Sequence, residues 1–470
     1  MAKKRKRIRI ILGVLVTLFG LLLGTLYYLL PVGSAFAAKT MCSCVFVAGY
    51  PEDSVRKVEL QTLGMFDVKV DYDKKRTTGS FMGLRPQVVI YRPNFGCSIA
   101  AGANPDELQQ TLAQPPQRYL LDPLSVDTLP WPTGKRDTLP FPQGVDSAKL
   151  AQVVNGIFIE DFPGAKKNTR AALVVYQGKI VAEQYAAGFD SESLLRGWSM
   201  TKSVTNAMLG RLVQEKGFDI FQPAPVPEWQ DAEDPRRKIT TDMLLRMSSG
   251  LDFAEFYAFR TDATEMLFLS QDAAAYAARS DLAHEPDSHW SYSSGTSNLL
   301  SRIIRDQFPD DQSYWDFPYQ SLFGPMGMQG VVLEPDASGT FVGSSFMWAR
   351  ARDWARFGLL YLAEGEWNGK QLLPEAWAAY SATSTPASPA GIYGAQFWNP
   401  ATTPVEGWYE GWSWSGVPDD AYCAEGFEGQ LVCIIPSMET VVVRLGVTHD
   451  RSAWDMGVWV EDILSCLPQP

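Results

Sequence analysis

The chain has 470 residues, 46% of them hydrophobic and 20% charged, a globular composition on the scale of two or three domains. This excludes a disordered tail, a collagen and a disulfide miniprotein. The net charge of −12 conceals an asymmetry: Lys3, Lys4, Arg5, Lys6, Arg7 and Arg9 crowd the first nine positions, leaving 35 basic against 53 acidic residues, a net −18, in the body. A body this acidic repels phosphate backbones, so nucleic acid is not expected as a partner.

The basic cluster (residues 1–9) precedes 21 residues without a charge, 10–30. At ~1.5 Å of helical rise per residue they match the hydrocarbon thickness of a bilayer. The expected device is a transmembrane signal-anchor with a cytoplasmic basic flank, everything from about Gly33 onward lying on the far side. Ala35-Phe36-Ala37 resembles a cleavage site, but a cleavable signal has an apolar stretch of only ~7–15 residues, so the anchor is expected to stay. Six cysteines (Cys42, Cys44, Cys97, Cys423, Cys433, Cys466) suit an oxidising compartment. Cys423 and Cys433 flank a turn between β-rich runs, which suggests a cross-strand bridge. Cys97 with Cys42 or Cys44 would close the N-terminal region. Cys42-Ser43-Cys44 lacks zinc-knuckle spacing, so no metal site is expected there.

Residues 39–103 alternate short β-type runs (Val45-Phe46-Val47, 66–70, 87–91) with turn residues and read as a small β-rich subdomain. Residues 104–146 are rich in proline, as in a linker or an arm lying on a larger body. That body, 147–470, opens with a hairpin, 171–176 and 179–185 about Gln177-Gly178. A helical face follows (Met200, Val204, Ala207, Met208, Leu212), ending at Gly217. A mainly helical stretch comes next, and strand character returns at 431–435 and 440–445 before an amphipathic stretch, 454–464. Strands at both ends with helices inserted between them predict one antiparallel sheet of sequence-distant hairpins, an α+β fold.

Ser199-Met200-Thr201-Lys202 is an S-x-x-K tetrad. About one is expected by chance in such a chain, and Ser54-Val55-Arg56-Lys57 is a second. The bare pattern also describes an N-cap serine with a solvated lysine. Ser199, however, opens a helix directly after a hairpin and a loop, with Lys202 one turn on, where a lysine of depressed pKa can take the serine's proton. The segment 289–300 then places Tyr292 before a small polar turn and an apolar helical run.

With Ser199–Lys202 and Tyr292-Ser293-Ser294 in this order, the chain resembles the serine β-lactamase and penicillin-binding-protein superfamily. The resemblance is strongest to its class C-like branch of esterases and amide hydrolases, which includes the 6-aminohexanoate-dimer hydrolases. Further agreements lie at Ile239-Thr240 leading to 244–251, at Pro325-Met326-Gly327-Met328 and at 353–360. The resemblance implies a β-lactamase/DD-peptidase-like fold and an acyl-enzyme on Ser199, with Lys202 and Tyr292 sharing the proton transfers. The backbone N–H groups of Ser199 and Gln430 would form the oxyanion hole. The third motif best matches Phe427-Glu428-Gly429, which has no cation at its first position. That favours small esters or amides over β-lactams and D-alanyl-D-alanine peptides. Ser294 replaces the tyrosine motif's asparagine.

The competing readings are a β-lactamase or carboxypeptidase and a ligand sensor without turnover. His284, His289 and His449 form no recognisable triad or metal motif, G-x-S-x-G fails at Thr201, and no cofactor is called for. Trp398, Trp408, Trp412 and Trp414 crowd one stretch and would serve as core packing or as an aromatic wall receiving an apolar group. In the latter case Trp408→Ala or Trp412→Ala should raise KM for apolar substrates.

Overall fold

The computed structural model describes residues 2–111, 115–117, 128–257, 260–401 and 414–469. Helix α1 (Ala2–Cys42) has two halves of different character. Ile10, Ile11, Leu12, Val14, Leu15 and Leu18 are exposed, while Ala35, Ala37, Ala38 and Met41 are completely buried. Tyr27–Val47 is also apolar and long enough to cross a membrane, but 67% of it is buried within the protein.

The small residues of the suggested cleavage site thus have a packing role. Strands β1 (Asp67–Asp71), β2 (Arg76–Phe81), β3 (Leu84–Arg92) and β4 (Gly96–Ile99) form an antiparallel sheet against α1. The approach is so close that a Cβ at Gly79 would stand 2.0 Å from the Ser34 carbonyl oxygen. The expected first β run, Val45-Phe46-Val47, is instead a π-helical turn, Ser43–Val47, continuing α1. A three-residue apolar run carries no period of its own, and the preceding helix decides its geometry. Cys97 pairs with Cys42, fastening β4 to the end of α1; Cys44 is a buried thiol. Lys39, buried in α1, pairs with Glu334 of the body, whose Oε1 also accepts from Ser43 Oγ (2.9 Å) and the Cys97 N–H (2.6 Å).

The proline-rich stretch begins with a short helix, Pro105–Thr111, packed on β3 of the N-terminal sheet, and touches the body further along. Trp131 Nε1 donates to the Gly178 carbonyl (2.9 Å), and the Arg356 guanidinium stacks over the Trp131 ring at 4.7 Å. Helix α2 (Ser147–Gly156) leads into β5 (Thr169–Tyr176) and β6 (Lys179–Tyr185). Gln177 and Gly178 both have positive φ, 49° and 75°, the two-residue turn that matches strand twist. Then come α3 (Met200–Lys216), α4 (Ser294–Arg305) and α5 (Ala351–Leu362) among shorter helices. The sheet is completed by β7 (Tyr422–Gly426), β8 (Gln430–Ile435) and β9 (Thr440–Gly446), and α6 (Met456–Leu464) follows.

The five-stranded order is β7-β8-β9-β5-β6, antiparallel throughout. Every residue of β5 is buried, and its side chains alternate between two cores. Ala171, Leu173 and Val175 join the core containing α3, α4 and α5, while Ala172, Val174 and Tyr176 join the one containing α2 and α6. Cys423 and Cys433 face each other across β7 and β8 and are bonded, whereas Cys466 is a buried thiol.

Candidate active site

The chain reaches Ser199 along Leu195–Arg196, which pairs with Met347–Ala349, and then turns through Trp198 in the left-handed region (φ 48°). A non-glycine residue holds that conformation only where its surroundings compel it. Trp198 Nε1 donates to Glu428 Oε2 (2.8 Å), and the Arg196 guanidinium lies 4.4 Å from its ring. Ser199 therefore starts α3, but its side chain makes no capping hydrogen bond. It meets Lys202 instead, Nζ to Oγ at 3.1 Å.

Lys202 is 1% exposed. Its Nζ also donates to Ser294 Oγ (3.0 Å) and the Ser344 carbonyl (3.0 Å), so all three ammonium protons have acceptors. Burial still disfavours the charge: it lowers the ammonium to a pKa of about 8, with Glu255 pulling the other way. Tyr292, half-buried, is hydrogen-bonded to Ser199, and Lys202 Nζ lies 4.8 Å from its ring. Burial and then Glu255 push its phenol upward. The two groups are driven apart, the lysine toward a neutral base and the tyrosine toward a retained proton.

The tyrosine loop rests on the segment 244–251. The Ser291 N–H donates to the Met247 carbonyl (2.9 Å), and the Ser293 N–H and Thr296 Oγ1 reach the Met247 sulfur (3.3 and 3.0 Å). Ser294 opens α4. Its N–H and Oγ donate to the two oxygens of Glu255 (2.7 and 2.6 Å), placing a carboxylate at the positive end of that helix. Tyr257 donates to the same carboxylate (2.6 Å). Glu255 and Tyr257 carry no sequence signal; they sit in an irregular loop with no motif or period, and only proximity in the fold identifies them.

The structure brings Ser199, Lys202, Tyr292 and Ser294 together, with Phe427 and Gly429 on the cavity wall, but it removes Gln430 from the expected role. Cys423 exchanges both backbone hydrogen bonds with Trp398, away from β8. Antiparallel alternation then turns the N–H groups of Glu425 and Phe427 to that same edge, where Ser199 lies, and the Gln430 N–H inward toward its partner Gly426. The Gln430 side chain is spent on the Phe427 and Gly446 carbonyls (3.0 and 2.7 Å). Gly426 passes so near the nucleophile segment that a Cβ there would lie 2.2 Å from the Gly197 carbonyl oxygen.

Arg444, completely buried, braces the turn after Gly426. It donates to the carbonyls of Glu428 (3.0 Å) and Gly429 (2.9 Å) and to Thr169 and Thr448.

Two hollows meet at Ser199, Glu255, Tyr257, Tyr292 and Phe427. One, of about 230 Å³, is lined further by Trp398, Glu425, Thr448, Arg451 and Trp454. The other, of about 500 Å³, is lined by Leu29, Val32 and Phe36 of α1, by Leu63, Met65 and Phe66, and by Trp198, Leu267 and Phe268. Of the tryptophan cluster, Trp398 lines the first hollow and Trp414 is buried in the core, while Trp408 and Trp412 lie outside the described residues. No histidine lines either hollow; His284 and His289 stack on each other at 4.0 Å.

A family model for Beta-lactamase matches residues 159–451. Among solved structures, the chain is similar to a Bacillus anthracis protein assigned as a 6-aminohexanoate-dimer hydrolase, at 23% identity and TM-score 0.52, covering 64% of this chain and 81% of that one. It is similar to a penicillin-binding-protein homologue from Caulobacter crescentus (15% identity, TM-score 0.52, 70% and 99% covered). It is also similar to a class C β-lactamase (14% identity, TM-score 0.51, 70% and 99% covered). At these identities the likeness speaks to the fold alone. The search of curated proteins finds no match. The family match spans more than half of the sequence, from before β5 to beyond β9, and on it the chain belongs to the Beta-lactamase family of serine hydrolases.

Proposed function

We propose that this serine hydrolase cleaves a small ester or amide through an acyl-enzyme on Ser199, with its catalytic body anchored outside the cytoplasm by α1. The carrying observation is Lys202, buried, 3.1 Å from Ser199 Oγ and lowered to a pKa of about 8. Neutral Lys202 takes the Ser199 proton as Oγ attacks the carbonyl carbon. Tyr292, whose phenol is held protonated, relays a proton to the leaving alcohol or amine. Water then attacks the acyl-enzyme by the reverse of these transfers. The Ser199 and Phe427 N–H groups hold the oxyanion, Phe427 replacing Gln430 on the alternation argument. The exposed apolar half of α1 supports the anchor, and burial of Ala35, Ala37, Ala38, Met41 and Cys42 supports its retention.

A β-lactamase or carboxypeptidase reading draws on Arg451, a cation on the wall of the smaller hollow that could meet a substrate carboxylate. A fluorophosphonate probe on wild type and Ser199→Ala tests the nucleophile. Parallel assays with p-nitrophenyl esters, a chromogenic cephalosporin and a short ω-amino-acid amide separate the substrate classes. Absence of labelling at Ser199 overturns the reading, and labelling without turnover of any substrate favours the sensor.

A further inference from the structure

We infer that the larger hollow beside Ser199 is an acyl-chain site, and that the ester or amide cleaved is small only in its alcohol or amine part, its acyl part being a medium- to long-chain fatty acid taken from the bilayer in which α1 stands. This rests on the acyl-enzyme and anchor readings above.

The hollow's chemistry fits an alkyl chain. At about 500 Å³ it has more than twice the volume of its neighbour. Val32, Phe36, Leu63, Phe66 and Phe268 make apolar walls, and polar groups gather where Ser199, Glu255 and Tyr292 would meet a carbonyl. A cavity of this size falls within the range of ~300–1,000 Å³ usual for small-molecule sites.

Its position fits a membrane source. Leu29, on its wall, belongs to the last turn of the 10–30 apolar stretch. Phe36 lies two turns further along the same unbroken helix, ~10 Å at ~1.5 Å per residue. The hollow therefore begins where the apolar span enters the body. Two cation–ring pairs flank α1 at that level: Arg85 stacks on Tyr27 at 4.8 Å, and Arg260, itself paired with Glu265, on Tyr28 at 4.0 Å. Met82, Leu84 and Phe256, each beside or near one of those arginines in sequence, are exposed. Aromatic rings, basic groups and apolar tips together are the composition of a membrane–water boundary.

In the reaction, Ser199 Oγ bonds to the acyl carbon and the alcohol or amine departs with a proton. One water then cleaves the acyl-enzyme, releasing the fatty acid and restoring the Ser199 hydroxyl.

The test uses the full-length protein in phosphatidylcholine vesicles with p-nitrophenyl esters from acetate to dodecanoate. kcat/KM is expected to climb about fourfold per added methylene until the hollow is filled. Val32→Trp and Leu63→Trp, from different walls, should each lower the dodecanoate-to-acetate ratio of kcat/KM by about tenfold, the scale of forcing bulk into a packed site. 4-Methylumbelliferyl palmitate placed in the enzyme's own vesicles should be cleaved faster than the same ester in separate vesicles; equal rates overturn the bilayer source. A flat chain-length profile, with Ser199 still labelled by fluorophosphonate, overturns the acyl-chain site and leaves the acyl-enzyme reading standing. No labelling at Ser199 overturns both.

Discussion

The chain contains the same four-residue pattern twice, with opposite outcomes. Ser54 to Lys57 lies on the short helix Glu52–Lys57, where Lys57 is exposed and only Val55 is buried. Ser199 to Lys202 has the same one-turn spacing at the start of α3, but Lys202 is enclosed by Ser294, Ser344 and Tyr292. The difference teaches that the tetrad supplies reach and the enclosure supplies the lowered lysine pKa. A lysine in water holds its proton far above neutrality, and one stripped of water releases it near pH 8.

The most direct way to break this comparison is Ser199→Ala beside Ser54→Ala. The first should lower kcat by about 10³-fold or more and the second should leave ester turnover unchanged, both read by p-nitrophenyl ester kinetics. Lys202→Ala should lose nearly as much, since nucleophile and base act as a unit, whereas Lys57→Ala should match wild type. Tyr292→Phe, which keeps the ring against Lys202 but removes the relay, should reduce kcat by about 10²- to 10⁴-fold.

The pH profile sharpens the point. On the proposed mechanism Lys202 acts as the neutral base, so kcat/KM should rise about tenfold per pH unit below pH 8 and level off above it. Glu255 raises the Lys202 pKa, so Glu255→Gln should move that limb to lower pH; an unmoved limb would show that another group titrates. Within the Ser199 site the smallest effect is expected for Ser294→Ala, which removes one of three acceptors around Lys202, about 1 kcal/mol or fivefold in kcat/KM.

Much of this site was legible because it is local in sequence. The hairpin about Gln177-Gly178, the helix opening at Ser199 and the tyrosine before a small polar turn each announce themselves within about ten residues. The Cys423–Cys433 bridge follows from two runs flanking one turn. What could not be read depends on parity or on distance. Whether Phe427 or Gln430 turns its N–H to the serine is decided by which strand edge is open, and a shift of one residue reverses the answer. Glu255 reaches the site from a loop without periodicity, and the Ser344 carbonyl from 142 residues beyond Lys202. The full extent of α1 was hidden because its second half reads as small residues, suited equally to a protease site and to close packing on a sheet.

The Arg444 brace has a consequence for how such an enzyme can diversify. The turn from Phe427 to Gly429 is held by its own carbonyl groups, gripped from behind by a buried guanidinium, so its shape owes little to the Phe427 side chain. That side chain is 51% exposed and forms wall for both hollows. Position 427 is thus tied to the scaffold by its main chain and by an edge contact, its ring against Trp198 at 5.7 Å: side chains that keep that contact can change over generations, exploring new substrates, while the main-chain N–H beneath stays in register.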